Sequence, residues 1–275
     1  MRAVFRHEVS SYFTNVTGYV FGAFLLLFAG IYTMAYNLRS GYTNFEYVLG
    51  SMSFVFLVIV PILTMKVIAE EKRQKTDQLL YSLPLSMTRV VLGKYLALLV
   101  VFAVPMVIVC LYPIVLGAFG SVYLPAAYSA IFGFYLLGAA LIAIGMFISS
   151  ITESQAVAAG LCFVVMLLNY FITSLASYAS TTAASSLLAF TVLVLVIGGV
   201  FRLMTRSGFA SVVLMLILEG LLLVGFLLDS SAYEGLFPEI MEQLSLFDRF
   251  YDFVYGIFDL GSVVYFLTVI GVFLF

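Results

Sequence analysis

Eight apolar runs occupy most of this chain, near residues 17–36, 50–69, 92–118, 128–149, 155–176, 186–203, 208–228 and 259–275. A helix needs about 20 apolar residues to cross about 30 Å of hydrocarbon. Stretches such as FGAFLLLFAGIY and LLAFTVLVLVIGGVF show no polar–apolar alternation, so the ~10-residue strands of an outer-membrane barrel are excluded. Composition leads to the same class. The chain is 64% hydrophobic and 9% charged, where a soluble domain carries about 25% charged residues. A soluble fold would have too little polar surface to cover itself. The expectation is an all-α, polytopic helical membrane protein with about eight transmembrane helices, forming a single transmembrane domain over residues 1–275.

Segments 1–16 and 229–258 stand apart from the spans. In the first, Phe5, Val9, Tyr12 and Phe13 share one helical face, with Arg2, Arg6 and Glu8 elsewhere. That pattern predicts a helix lying in the membrane interface before the seven spans of 17–228. In the second, Pro238 sits at a helix start, and Ile240, Leu244, Phe247, Tyr251, Val254 and Phe258 recur at three- and four-residue steps. This predicts an amphipathic outer helix before the last span, 259–275, lying on the membrane or capping the bundle. That last run is short and lacks a basic stop, so the native chain is expected to continue past Phe275 into a basic tail. A cleavable signal sequence is not expected, because a polar segment of over a dozen residues precedes a long first apolar run.

One polar run interrupts the apolar ones. Lys66 to Lys94 holds Lys66, Lys72, Arg73, Lys75, Arg89 and Lys94, half of the twelve basic residues, together with Glu70, Glu71 and Asp77. With the amino terminus inside, the inside segments hold these six plus Arg2, Arg6, Arg202 and Arg206, and the outside segments hold Arg39 and Arg249. Ten basic residues against two fixes the orientation by the positive-inside rule, and an even span count returns the carboxyl terminus inside. Seven acids, from Asp229 to Asp259, fall in one outside segment.

Inside the spans, Pro61, Pro105 and Pro113 each remove a backbone hydrogen bond and predict kinks. Gly18 with Gly22, Ala139 with Ala143, and Ala156 with Gly160 have the four-residue spacing that lets helix backbones approach. Cys110 and Cys162 lie inside apolar runs without metal-ligand spacing, and His7 is the chain's one histidine. Glu219 is the one acid in the middle of a span. It lines a pathway, pairs with a basic or hydroxyl group on a neighbouring helix, or stays protonated, and structural pairing is the favoured reading. No phosphate-binding loop is present: Gly93-Lys94 has Thr88 where the first glycine belongs and is followed by Tyr95. The chain is therefore not expected to be an enzyme by itself, nor to bind a cofactor, metal or nucleic acid.

Within the polar run, Thr76 is a good helix N-cap, Asp77 suits a helix start, and Pro84 limits the helix. Leu79, Leu80 and Tyr81 are apolar side chains in a charged loop, as at many partner sites. The whole stretch resembles the type-2 ABC transporter permease family. There, a membrane helix leads into an acidic pair, a basic patch, a short helix and a proline, and the next span starts near a Gly-Lys pair. Here these are Glu70-Glu71, Lys72-Arg73, Asp77 to Tyr81, Pro84 and Gly93-Lys94, with Lys75-Thr76 where the family usually has Gly-Thr. Residues 244–266, LSLFDRFYDFVYGIFDLGSVVYF, resemble the gliding-motility permeases of that family. The family core usually has six spans, and residues 177–228 are where the count of eight arises.

The resemblance implies the membrane subunit of an ATP-driven exporter in the bacterial cytoplasmic (inner) membrane, with both termini cytoplasmic. It implies a second permease subunit, the same or different, and cytoplasmic ATPase subunits that bind ATP and Mg. Those would dock at Glu70, Glu71, Lys72, Arg73, Thr76, Asp77, Leu79, Leu80, Tyr81 and Pro84. The alternatives are a secondary transporter and a non-transporting membrane anchor of a larger complex.

Overall fold

A computed structural model describes residues 2–75, 86–205 and 208–275. Every regular element among them is helical. Six helical stretches are long and apolar enough to cross a membrane: Val16–Arg39, Glu46–Gln74, Met87–Gly117, Leu124–Ile151, Gln155–Tyr178 and Gly208–Leu228. Two more apolar helices, Ala183–Gly199 and Leu260–Leu274, are shorter. The chain is a multi-pass helical membrane protein, and its helices follow the apolar runs to within a few residues at most ends.

The chain packs as two compact units, Met1–Tyr170 with Leu246–Phe275, and Phe171–Ser245. In the first unit, α1 is Arg2–Thr14 and α2 is Val16–Thr33, which continues as a π-helical turn, Met34–Arg39. The second span is three helices end to end: α3 (Glu46–Met52), α4 (Phe56–Thr64) and α5 (Ala69–Gln74). Then come α6 (Met87–Val109), α7 (Tyr112–Gly117) and α8 (Leu124–Ile151). Pro105 sits inside α6, while Pro113 opens α7. The chain breaks at Pro113 because its ring cannot donate to the carbonyl of Val109. Helix α9 (Gln155–Tyr178) runs from this unit into the next.

Helix α8 is the centre of the first unit. It packs against α3, α4, α6, α13 (Leu246–Val254) and α14 (Leu260–Leu274), and small residues make this possible. A β-carbon at Gly145 would lie 2.4 Å from Thr64 Oγ1, and one at Gly138 would lie 2.4 Å from Phe102 Cε1. Phe56 and Phe134 approach to 4.4 Å between ring centroids, and Phe102 stacks on Tyr135 at 5.1 Å. Lipid tails are as apolar as these side chains, so close packing holds the helices together.

The segment before the last span differs from its expectation. It is two helices, α12 (Leu236–Gln243) and α13, parted at Leu244–Ser245. The break shifts the phase of the stripe. Leu244 and Phe258 are exposed, and the buried face is Leu246, Phe247, Phe250, Phe253 and Val254. Helix α13 caps the bundle, with Phe253 seated on Gly133.

In the second unit, α10 (Ala183–Thr205) and α11 (Gly208–Leu228) form a hairpin. Met215 lies against Gly198. Tyr233 donates to the carbonyl of Leu222 at 3.0 Å, and Phe237 packs edge-on against Phe190. Gly235, at φ +72°, turns the chain into α12 and donates to Thr181 O at 2.9 Å.

Candidate functional site

The second span is interrupted between Thr64 and Ala69, one turn past Pro61. A broken helix frees backbone groups that need partners away from water. Val67 donates to Thr64 O rather than to Leu63 O. The freed Leu63 carbonyl accepts the Tyr12 hydroxyl at 3.0 Å. Ser149 Oγ accepts from the N–H groups of Ile68 (3.2 Å) and Ala69 (3.1 Å), and donates to Met65 O at 3.3 Å. Lys94 Nζ donates to Val67 O at 3.0 Å. Three helices, α1, α6 and α8, thus each supply one polar side chain to a single joint.

Lys94 also makes two ion pairs, each at 2.7 Å, with Glu8 of α1 and Glu71 of α5. Its side chain is 4% exposed, against 15% for Glu8 and 27% for Glu71. A buried cation stays buried when paired and fully hydrogen-bonded, and Lys94 uses all three of its protons. Glu8, off the apolar stripe of α1, thus has a buried cation as its partner. The same helix does bury Tyr12 and half-bury Phe5, Val9 and Phe13. Burial, with the charges of Glu8 and Glu70 nearby, pushes the Tyr12 phenol well above its usual range. Tyr12 therefore remains a proton donor to Leu63.

Beyond the joint, α5 carries the acidic and basic pairs. Glu70 accepts from Gln74 at 3.1 Å, Lys72 reaches the carbonyl of Ser150, and Arg73 is exposed. A cleft of about 780 Å³ opens beside them, lined by Glu8, Tyr12, Lys66, Glu70, Glu71 and Lys94 among others. Helix α5 ends at Lys75, whose φ of 55° and ψ of 23° are left-handed, with its N–H on the carbonyls of Glu71 and Lys72. This is the turn that glycine favours, formed here by a lysine. Thr76, Asp77, Leu79, Leu80, Tyr81 and Pro84 lie outside the described residues.

Sequence reasoning found Glu70, Glu71, Lys72 and Arg73 as one charged cluster. It did not find Tyr12 or Ser149 as partners of the joint. Their one sequence signal is weak: Gly145 and Ser149 are small residues four apart on α8, one at the close approach to Thr64 and the other at the break.

Glu219 lies elsewhere, in the second unit. Thr191 Oγ1 of α10 donates to its Oε1 at 2.8 Å, and the side chain is half-buried. An ionised carboxylate at the centre of a span costs at least ~3 kcal/mol on insertion scales. A hydrogen bond between membrane helices contributes about 0.6 kcal/mol on average, so Thr191 offsets a small part of the cost. Among the described residues no group of three or more His, Cys, Asp or Glu side chains is placed to hold a metal ion.

A family model described as ABC-2 family transporter protein matches residues 5–257. No curated protein and no solved structure matches the chain.

Proposed function

We propose a function that starts from one fact: the chain belongs to the ABC-2 transporter family. It is the membrane-spanning permease subunit of an ABC exporter. It pairs with a second permease subunit to form the path, and takes its drive from separate ATPase subunits that bind ATP and Mg. The chain itself is not an enzyme and holds no cofactor. The ten-to-two basic asymmetry supports the end carrying α1, α5 and the start of α6 as the cytoplasmic one, in a bacterial inner membrane.

The observation that carries this reading is the polar joint. An ATPase can move a permease by pushing a rigid cytoplasmic element that continues a span. Helix α5 is such an element. It prolongs the second span, its root is pinned by Tyr12, Lys94 and Ser149, and residues 76–84 follow it. Leu79 and Leu80 then supply an apolar contact, with Glu70, Glu71, Lys72 and Arg73 around it.

Two variants test the two halves of the proposal. Leu79→Asp with Leu80→Asp is expected to leave the permease inserted but unable to retain its ATPase subunit through detergent purification. Ser149→Ala is expected to retain the ATPase while lowering the permease-dependent change in ATP hydrolysis several-fold, since it leaves two backbone N–H groups unpaired. A double leucine variant that binds its ATPase and transports at the wild-type rate would overturn the docking assignment.

A further inference from the structure

Glu219 is the twelfth of the 21 residues of α11, so it sits at the centre of the span. Its carboxylate takes one hydrogen bond, from Thr191, among the described residues. No basic residue of the chain occupies the middle of an apolar run. Arg202, the nearest basic residue of α10 within the described residues, is eleven residues past Thr191, about 16 Å along the helix. Among the described residues, no basic side chain pairs with Glu219. The surface beside it is open. Leu216 and Leu223, about one turn before and after it on the same face, are 67% and 45% exposed, and a β-carbon at the adjacent Gly220 would meet nothing within 4 Å. A glycine there lets another helix backbone come close to α11.

We infer that Glu219, oriented by Thr191, is the docking point for a transmembrane helix of a partner subunit that carries a lysine or arginine at mid-membrane depth. The charge requirement selects the partner's chemistry. A lipid-covered face would leave the carboxylate against hydrocarbon. A second copy of this chain would present another glutamate, since neither copy has a mid-span cation to offer. A cationic span neutralises the acid, and Gly220 gives it room to reach the second carboxylate oxygen. This site is independent of the joint in the other unit, so it survives if the ATPase reading fails.

The test uses the full chain in uncharged phosphatidylcholine vesicles, with fluorescent single-span probes of 21 residues. The probes are leucine-rich, with Lys, Gln or Leu at the centre. Energy transfer should show the Lys probe bound about tenfold or more tighter than the Leu probe. That preference should vanish in Glu219→Gln and shrink in Thr191→Val. A control moves the acid about one turn along that face, as Glu219→Gln with Leu216→Glu, and should show a weaker preference. Equal binding of Lys and Leu probes by the wild type overturns the inference, because the Thr191 bond then suffices. So does an undiminished Lys preference in Glu219→Gln, or an equal preference when the acid is moved to Leu216. Glu219→Gln removes a charge from the bilayer, so insertion is not at risk, and the probe series on the wild type stands without any variant.

Discussion

Lys94 and Glu219 are both charged residues set among apolar helices, and their surroundings differ. Lys94 is 3% exposed and has two carboxylates and a carbonyl around it, all from its own unit. Glu219 is half-buried with one hydroxyl. The helices that carry their packing differ in the same way. Of the apolar stretch of the span that carries Lys94, 39% is buried, against 6% for α11, which carries Glu219. The first unit pairs its buried cation internally. The second leaves a helix surface uncovered and an acid partly compensated. Charge in the first unit reports on stability, and charge in the second on what comes to meet it.

The largest effect that sharpens this contrast is expected at Lys94. Lys94→Met removes the cation and leaves Glu8, Glu71 and the Val67 carbonyl facing a thioether. Breaking a buried pair on one side costs about 3–5 kcal/mol. The melting temperature of the detergent-solubilised chain should fall by many degrees, and Glu8→Gln added to Lys94→Met should recover part of the loss. Glu219→Leu in the isolated chain should lower it not at all. Equal losses at the two sites would erase the distinction.

Glycine substitutions probe the same contrast through packing. Gly145→Ala places its methyl group 2.4 Å from Thr64 Oγ1 and 3.0 Å from Thr64 Cβ. The side chain of Thr64 is branched and already bonded to Val60 O, so it cannot swing away. Such overpacking costs about 1–3 kcal/mol. Gly220→Ala meets nothing and should be neutral, or gain up to about 1 kcal/mol from helix propensity. Thermal unfolding of both variants in one detergent checks the pair.

The spans were legible because apolar runs of membrane length admit few alternatives. The joint was not, because its partners are distant in sequence. Tyr12 meets Leu63 across 51 residues and Ser149 meets Ala69 across 80. Pro61 marked a disturbance in the right helix, yet the break falls a turn later, where side-chain partners are available for the freed groups. The pairing of Glu8 with Lys94 was not anticipated, because helical periodicity separates polar from apolar residues and cannot say which polar residue finds a buried cation. The stripe over 240–258 was read as one helix. Its period is interrupted at Ser245, and Asn169 of α9 accepts the N–H of Leu246 to restart the helix in a new phase. Glu219 was visible at once, since a lone acid in a span needs no partner to be noticed. Its hydroxyl neighbour was among the anticipated options, although no residue pattern singled out Thr191.

Lys75 offers a smaller effect of opposite sign. A non-glycine residue in the left-handed region costs roughly 1–2 kcal/mol, and Lys75 is the one described non-glycine residue with positive φ. Lys75→Gly should relieve part of that and stabilise α5 against fraying, seen as slower amide exchange over Ala69–Gln74. Lys75→Val should have the reverse effect. If Lys75→Gly speeds exchange instead, the lysine side chain contributes to the turn more than its backbone strain costs.

The smallest effect compares one carboxylate in each unit. Asp259 caps α14: its carboxylate accepts from Gly261 N at 3.0 Å, Ser262 N at 2.8 Å and Ser262 Oγ at 2.9 Å. The Gly261 N–H first, then the Ser262 hydroxyl and N–H, hold its carboxyl below the usual 3.8, and the Arg249 charge helps. Asp229 is held down in the same direction, chiefly by the Ser231 hydroxyl and then the Ala232 N–H. A carboxyl with a lowered folded value contributes stability that is complete above the ordinary value and is lost as pH falls through the folded one. Both groups are solvent-exposed, so the contributions are small. Asp259→Asn keeps an acceptor at the cap but removes the titration. The stability difference between wild type and Asp259→Asn should be constant from pH 7 down toward the ordinary carboxyl range, and should narrow as pH falls through the lowered folded value. Asp229→Asn should show the same direction with a smaller amplitude. Asp259 starts a helix packed on α8, so fraying there spreads into the first unit, whereas Asp229 closes a turn between α11 and α12. An Asp229→Asn shift as large as that of Asp259→Asn would mean that the second unit is as tightly joined in its own packing as the first.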